Sequence, residues 1–537
     1  MRSEAQRSVV PNTRLAWLLA SAAFISFLVL SIGYSLTRQP WWDEGLFADP
    51  AINFRNSGHL GSTVLATHGF MNFPGVHQFT FWQLPLYLIS LGAWLRIVPV
   101  TIFWIRMFSV VWGAIYIYAW FAMTRRLSQN QTLGLLVSSV VALDYAVVMA
   151  ASNGRMEMMC AALGQVAVAY FICNREANWT RAIVVAACFG AASLFCHPLG
   201  AICNLSLAAV VALNWRDIRW RGLALAVLPY TIGLAVYACY ALQAPDIFLT
   251  QARAAYLFRI HEGRGLLVSI AQDFHTRYWN LYFQALSGVK RLKVASLLFG
   301  VLGTIFLAFD RKWRSQPLGR TLLVMGVIGY VGVAALDNMG HPVYSIYSMP
   351  VLSACGAVWV YATWQRSLYF RYLPALLLSA SILATVGGNC AKIAENNYRR
   401  LYDPAIGVIR ANLPPGGVVM GGSELGFALG FESKTLIDDR YAGYATGKAP
   451  DVFVRNEYYT TSEFLREYTR EEYARKLLAT QYHVVFDNTA FRVYARNKAP
   501  ESKSRSVVSR SHCSGQLRQN QFSNLLRHPA PIFQGKG

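Results

Sequence analysis

Charge is what this sequence has least of. Only 14% of its 537 residues are Asp, Glu, Lys or Arg, against 55% apolar, and those charges stand in short stretches between long apolar runs. That balance excludes a soluble chain and fits one that crosses a membrane. Acidic residues are scarcer still, 27 against 49 basic, for a net charge of +22. Such a surplus raises the question of nucleic acid. The basic residues, however, occupy the short loops between apolar runs, where membrane proteins place them, so no nucleic-acid partner is expected. Nine cysteines lie scattered, mostly inside apolar runs (Cys160, Cys188, Cys196, Cys239, Cys355) and without a C-x-x-C pair. Neither structural zinc nor disulfides are suggested. No internal repeat is visible. The first apolar run, Leu15 to Leu36, follows Arg2, Arg7 and Arg14 as a signal peptide would. It is too long for one, lacks a small-x-small cleavage site after it, and is expected to be an uncleaved anchor.

A hydrocarbon core of ~30 Å requires ~20 apolar residues per helix. Runs near that length predict eleven spans, approximately 15 to 36, 101 to 123, 131 to 151, 157 to 173, 181 to 196, 199 to 214, 220 to 241, 293 to 309, 320 to 336, 346 to 364 and 372 to 388. Trp82 to Leu95 is short and holds Pro85, and reads as an interfacial or re-entrant helix. With a cytoplasmic N-terminus, the cytoplasmic loops carry Arg125 and Arg126, Arg175 and Arg181, Arg216, Arg219 and Arg221, Arg311 to Arg320, then Arg366 and Arg371. That obeys the positive-inside rule.

Beyond about Asn396 a shorter period appears. It predicts a helix over Pro404 to Asn412, strands at Gly417 to Met420 and Thr435 to Ile437, a helix over Glu471 to Ala479, and strands at His483 to Phe486 and Phe491 to Tyr494. The expected organisation is therefore a transmembrane domain over 1–390, an external α/β domain over 391–498, and a basic disordered tail over 499–537. The topology also gathers polar residues on one face: Asp43 and Glu44, Glu157, His197, the loop from Gln243 to Leu292, and His341 with Tyr344 and Tyr347. A transporter would carry ionisable residues near mid-membrane, broken helices and repeated halves, so chemistry at one lipid-water interface fits better.

Asp43 and Glu44 follow a Trp pair directly after the first span. In one reading Asp43 is a helix N-cap, Glu44 complements the helix dipole and the tryptophans anchor the interface. In the other, Asp43 is a general base for an attacking hydroxyl; the two are compatible. Arg155 and Glu157 read either as a pair orienting two helices or as a functional pair, with Glu157 orienting an acceptor or binding a divalent cation. In the loop after residue 243, Arg259-Ile260-His261-Glu262-Gly263-Arg264 is the densest basic stretch. It suits either anionic headgroups or a phosphate cradle, for which Arg259, His261 and Arg264 are the candidates. Tyr344 and Tyr347 are one helical turn apart, so both can face one cleft with His341, or anchor the interface.

In order and spacing these motifs resemble the GT-C superfamily of glycosyltransferases, in the branch of the protein O-mannosyltransferases and the lipid A aminoarabinose transferases. The acidic pair opening the first external loop is matched by Asp43 and Glu44. A PPLY-like segment is matched loosely by Gln83-Leu84-Pro85-Leu86-Tyr87, and an R-x-D-like motif by Arg155-Met156-Glu157. The late Tyr-and-Pro-rich segment is matched by His341 to Pro350. Two departures stand out: Glu157 where the family usually has Asp, and Trp82 and Gln83 in place of the lysine often found before the proline pair. The resemblance implies an α-helical polytopic membrane protein that moves a sugar from a polyprenyl-phosphate donor to a lipid, protein or polysaccharide hydroxyl. Asp43, Glu44 and Glu157 would be its catalytic candidates, and Arg259, His261, Arg264, His341, Tyr344 and Tyr347 its donor-phosphate candidates. A divalent cation, with Glu157 as ligand, is an open possibility. The expected setting is a bacterial inner membrane, with the site and the C-terminal domain on the non-cytoplasmic side. The alternative class is a lipid-linked glycan flippase or other transporter.

Overall fold

The computed structural model describes residues 13–67, 73–259, 266–284, 293–337, 340–364, 366, 369–439, 442–444, 446–456 and 468–497. After α1 (Thr13–Thr37) come two helices too short to cross, α2 (Trp42–Ser57) and α3 (Pro85–Ile97). The bundle continues with α4 (Ile102–Ser128), α5 (Gln131–Ala142), α6 (Tyr145–Ala151), α7 (Met156–Asn174), α8 (Trp179–Cys196), α9 (Gly200–Ala212) and α10 (Trp220–Ala241). Next are α11 (Pro245–Arg259) and α12 (Leu266–Asp273), which runs into a π-helical stretch, Phe274–Gln284. The last group is α13 (Lys293–Phe309), α14 (Arg311–Ser315), α15 (Pro317–Leu336), a 3-10 turn Pro342–Tyr347, α16 (Met349–Trp364), α17 (Tyr369–Glu395) and α18 (Asp403–Asn412).

Every expected span is helical. Seven helical stretches are long and apolar enough to cross a membrane, and α5 with α6 makes an eighth, bent by 62°. The remaining three expected spans are the shorter apolar helices α9, α13 and α16. The chain is an integral membrane protein. The sequence reads 131 to 151 as one continuous helix, and the structure corrects this. Asp144 interrupts it: its carboxylate accepts the Ala146 N–H at 2.8 Å and caps a new helix, while its other oxygen takes the Ser353 hydroxyl at 2.5 Å. Burial separates centre from rim. The α7 span is 83% buried, against 22% for α1 and 11% for α10, so α7, which begins with Met156 and Glu157, is the axis of the bundle.

Beyond α18 lies a five-stranded sheet of order β2-β1-β3-β5-β4, built from β1 (Val419–Met420), β2 (Leu436–Ile437), β3 (Val452–Asn456), β4 (Tyr482–Asp487) and β5 (Phe491–Arg496). The first three are parallel and β5 is antiparallel to both its neighbours. Helix Tyr468–Gln481 leads into β4. Its central strand, β3, was not anticipated. The free edge of β2 is closed by the loop after α2: Asp438 donates its N–H to Val64 O at 2.8 Å and accepts the Ala66 N–H at 3.0 Å. Residues through Arg496 accordingly form one compact unit. The tail expected over 499–537 lies outside the described residues.

Candidate active site

The first turn of α2 is organised by Glu44. Trp41, not Asp43, holds the N-cap position, which corrects the capping role considered for Asp43. Glu44, three residues on, accepts the Trp41 N–H at 2.8 Å. The same carboxylate takes Arg106 through Nη2 at 2.6 Å and Nε at 2.8 Å, and the Gly154 N–H at 2.8 Å. Arg106 also donates to the carbonyls of Ser35, Arg38 and Gln39, which the end of α1 leaves without helical partners. Both side chains are fully buried. Burial alone would raise the Glu44 carboxyl, but the Arg106 guanidinium outweighs it and holds the group below its ordinary value.

Asp43 turns the other way. Its Oδ2 accepts from Arg155 Nη1, and Arg155 also donates from Nε to both oxygens of Glu157 at 3.1 Å and from Nη2 to Oε1 at 2.6 Å. One guanidinium thus joins the α2 carboxylate to the one at the head of the axial helix. Its charge rests on the Trp41 ring, 4.7 Å from the centroid. Accessibility separates the three acids. The Asp43 side chain is 17% exposed, Glu157 1% and Glu44 none, so Asp43 is the most accessible of the three.

A second charged group frames the late Tyr-rich segment. Asp337 Oδ1 bonds His341 Nδ1 at 2.7 Å, while Oδ2 accepts the His341 N–H and Arg277 Nη2, both at 2.9 Å. Arg277, fully buried, also grips Asp273 at 2.7 Å. Burial would raise the Asp337 carboxyl; His341 and Arg277 together lower it. The His341 ring packs edge-on against Tyr344 at 5.5 Å, and Tyr344 lies 5.6 Å from the His197 ring. Tyr347 diverges from them, lining a small cavity inside the bundle with Tyr116, Gln165 and Cys203. On the PPLY-like segment, Gln83 is buried with its amide 3.5 Å from Cys196 O, and Tyr87 is wholly buried. The Arg259 backbone ends α11, whereas His261 and Arg264 lie outside the described residues. Both oxygens of Glu157, the candidate metal ligand, are engaged by a guanidinium. Among the described residues no three His, Cys, Asp or Glu side chains converge to hold a metal ion. Among the described residues, the side chains at this site do not form a cation-binding set.

Sequence reasoning overlooked the brace behind α2. The Trp42 indole N–H donates to Asp438 Oδ2 at 2.8 Å, and the same oxygen takes the Ser423 N–H at 2.9 Å and the Ser423 hydroxyl. Gly45 permits this approach, since a Cβ there would stand 2.3 Å from the Ser423 carbonyl carbon. Neither contact leaves a local signal, because the partners are nearly 400 residues apart. Arg106 did carry one, as an arginine inside an apolar span.

No protein-family model matches the chain, and no curated protein matches its sequence. Solved structures do. The structure of ArnT from Cupriavidus metallidurans bound to undecaprenyl phosphate superposes with a TM-score of 0.56 at 14% identity, covering 91% of this chain and 99% of that one. The archaeal oligosaccharyltransferase AglB from Archaeoglobus fulgidus, in complex with an inhibitory peptide and a dolichol-phosphate, superposes with a TM-score of 0.51 at 14% identity, covering 91% of this chain and 75% of that one. At this identity the likeness is one of fold: the chain shares the fold of these two structures.

Proposed function

We propose that the protein transfers a sugar from a polyprenyl-phosphate donor to an acceptor hydroxyl at the membrane face that carries Asp43. The observation that carries this reading is the partly open Asp43 carboxylate, fixed by Arg155 at the head of the axial helix while its neighbour Glu44 is committed to Arg106. The carriers named in the two superposed structures, undecaprenyl phosphate and dolichol-phosphate, support a lipid-phosphate donor here. In this reading Asp43 takes the acceptor proton as the hydroxyl oxygen attacks the anomeric carbon, the bond from that carbon to the carrier phosphate breaks, and the configuration inverts. Arg155 and Glu157 are positioning residues: the guanidinium shared between two carboxylates fixes the angle of Asp43. His341, held by Asp337 through Nδ1, faces the phosphate with Tyr344, and a cationic donor there stabilises the departing charge. The basic loops at the opposite helix ends support a non-cytoplasmic position for this face; a bacterial inner membrane is the proposed setting.

The test is Asp43→Asn. Asparagine keeps an oxygen for Arg155, and the helix cap is Trp41, so insertion and folding are expected to persist. A lost general base lowers the rate by ~100- to 10,000-fold. Release of free lipid phosphate from a polyprenyl-phosphate sugar reports turnover, and a flippase would conserve that donor. Near-normal release by the Asn variant would overturn the assignment of the base. A wild-type protein that moves the donor intact across the membrane would overturn the reaction.

A further inference from the structure

The three fully or nearly buried arginines of the framework, Arg106, Arg155 and Arg277, each rest on carboxylates. Three other cations at the same end of the bundle do not. Lys293 is the first residue of α13, Lys392 lies near the end of α17 and Arg38 follows α1. They converge on two tyrosines, Tyr145 at the start of α6 and Tyr34 in the last turn of α1. Lys392 Nζ is 3.2 Å from the Tyr145 hydroxyl and 5.5 Å from the Tyr34 ring centroid. Lys293 Nζ stands 4.0 Å from the Tyr145 centroid, and the Arg38 guanidinium 5.6 Å from that of Tyr34. Arg38 hydrogen-bonds Asn153, a neutral partner. Among the described residues no carboxylate forms an ion pair with any of the three.

Two ammonium groups sharing one buried phenol ring repel each other, and the repulsion is larger at a partly desolvated flank than in water. Ring faces offset part of it. What the two lysines lack, among the described residues, is an anion. Phosphate oxygens between the two ammonium groups would neutralise them, and the Tyr145 hydroxyl and the Arg38 fork supply further donors. The flank is open to lipid, since α1 and α17 are the poorly buried rim of the bundle. We propose that α1, α6, α13 and α17 form a phosphate-binding site for an anionic lipid headgroup in the leaflet at the Asp43 end. The site uses none of the side chains assigned to the donor. It adjoins the active site through Trp41, whose ring is shared by Arg38 at 5.4 Å and Arg155 at 4.7 Å.

The experiment needs no turnover. The full chain, and its Asp43→Asn variant, are titrated in neutral detergent with short-chain phosphatidic acid and separately with inorganic phosphate, followed by calorimetry. One saturable phosphatidic acid site is expected in both proteins. Lys293→Gln with Lys392→Gln weakens it by on the order of a hundredfold, tenfold for each charge-assisted contact removed, while Lys293→Arg with Lys392→Arg retains it. Competition by inorganic phosphate marks a site that reads the phosphate alone, and its absence marks one that needs the lipid; either supports the proposal. The lipid-free Gln pair melts no lower than wild type, because the substitution relieves repulsion. Absence of saturable binding in the wild type, or binding unchanged in the Gln pair, overturns the site. A lower lipid-free melting temperature in that pair assigns the lysines to the fold and overturns it as well.

Discussion

Glu44→Gln separates the two adjacent acids. The Glu44 carboxylate accepts four hydrogen bonds, two from Arg106 and one each from the Trp41 and Gly154 N–H groups. Glutamine keeps one oxygen and turns an NH2 toward two donors that then have no acceptor. It also strips the charge that compensates a guanidinium with no exposed surface. Removing one partner of a buried pair costs about 3 to 5 kcal/mol. Arg106 keeps its three carbonyls, which puts the expectation at the low end, ~3 kcal/mol or roughly a hundredfold in the folding equilibrium. Denaturant and thermal unfolding in detergent measure it. Lipid-phosphate release per folded molecule should stay within about threefold of wild type, a change of under 1 kcal/mol in barrier. Acid adds a second reading. Because the folded-state Glu44 carboxyl lies below its ordinary value of 4.5, its contribution is complete above about 4.5 and is lost as pH falls through the folded value. The Gln variant should lack that part of the acid sensitivity. A variant as stable as wild type yet without turnover would refute the division of labour and make Glu44 a group that touches substrate.

Four further outcomes follow from the same geometry. Trp42→Phe, which removes the indole N–H from Asp438, should lower kcat several-fold with KM little changed, measured by donor turnover, since the brace sets the angle of α2 rather than binding substrate. Gly45→Ala drives a Cβ into the Ser423 backbone and is expected to cost about 1 to 3 kcal/mol in unfolding experiments. His341→Gln should raise KM for the lipid-phosphate donor by on the order of tenfold, one charge-assisted contact; unchanged donor kinetics would remove His341 from the phosphate. For topology, a membrane-impermeant thiol reagent applied to whole cells should label Ser57→Cys but not Asp217→Cys, and the reverse pattern would invert the orientation.

Much of the fold was legible because a membrane leaves few choices. Without water to satisfy backbone groups, apolar runs become helices, and all eleven expected spans did. The run from 131 to 151 misled because hydropathy does not register a single Asp144 that caps a second helix within it. The sheet was harder. Strands of two residues, such as Val419–Met420 and Leu436–Ile437, give almost no period to read. The brief contribution of Val64 to Ala66 depends on a partner in the last third of the chain.

The sequence names candidate residues for the site but not how they pack. Position alone makes Asp43 and Glu44 equivalent, and only the packing of α4 against them distinguishes the acid that Arg106 consumes from the one that remains open. Asp49, further along α2, repeats the lesson. Its carboxylate is buried on the hydroxyls of Ser62 and Thr63 and the Val64 N–H, and burial raises it from its ordinary value. It ties the loop that closes the sheet back onto the helix that carries Asp43. Of the three acids on α2, two thus hold structure, one with a buried arginine and one with a loop. The third shares its arginine with Glu157 and stays partly open. That partly open acid is the one to which the proposed reaction gives the acceptor proton.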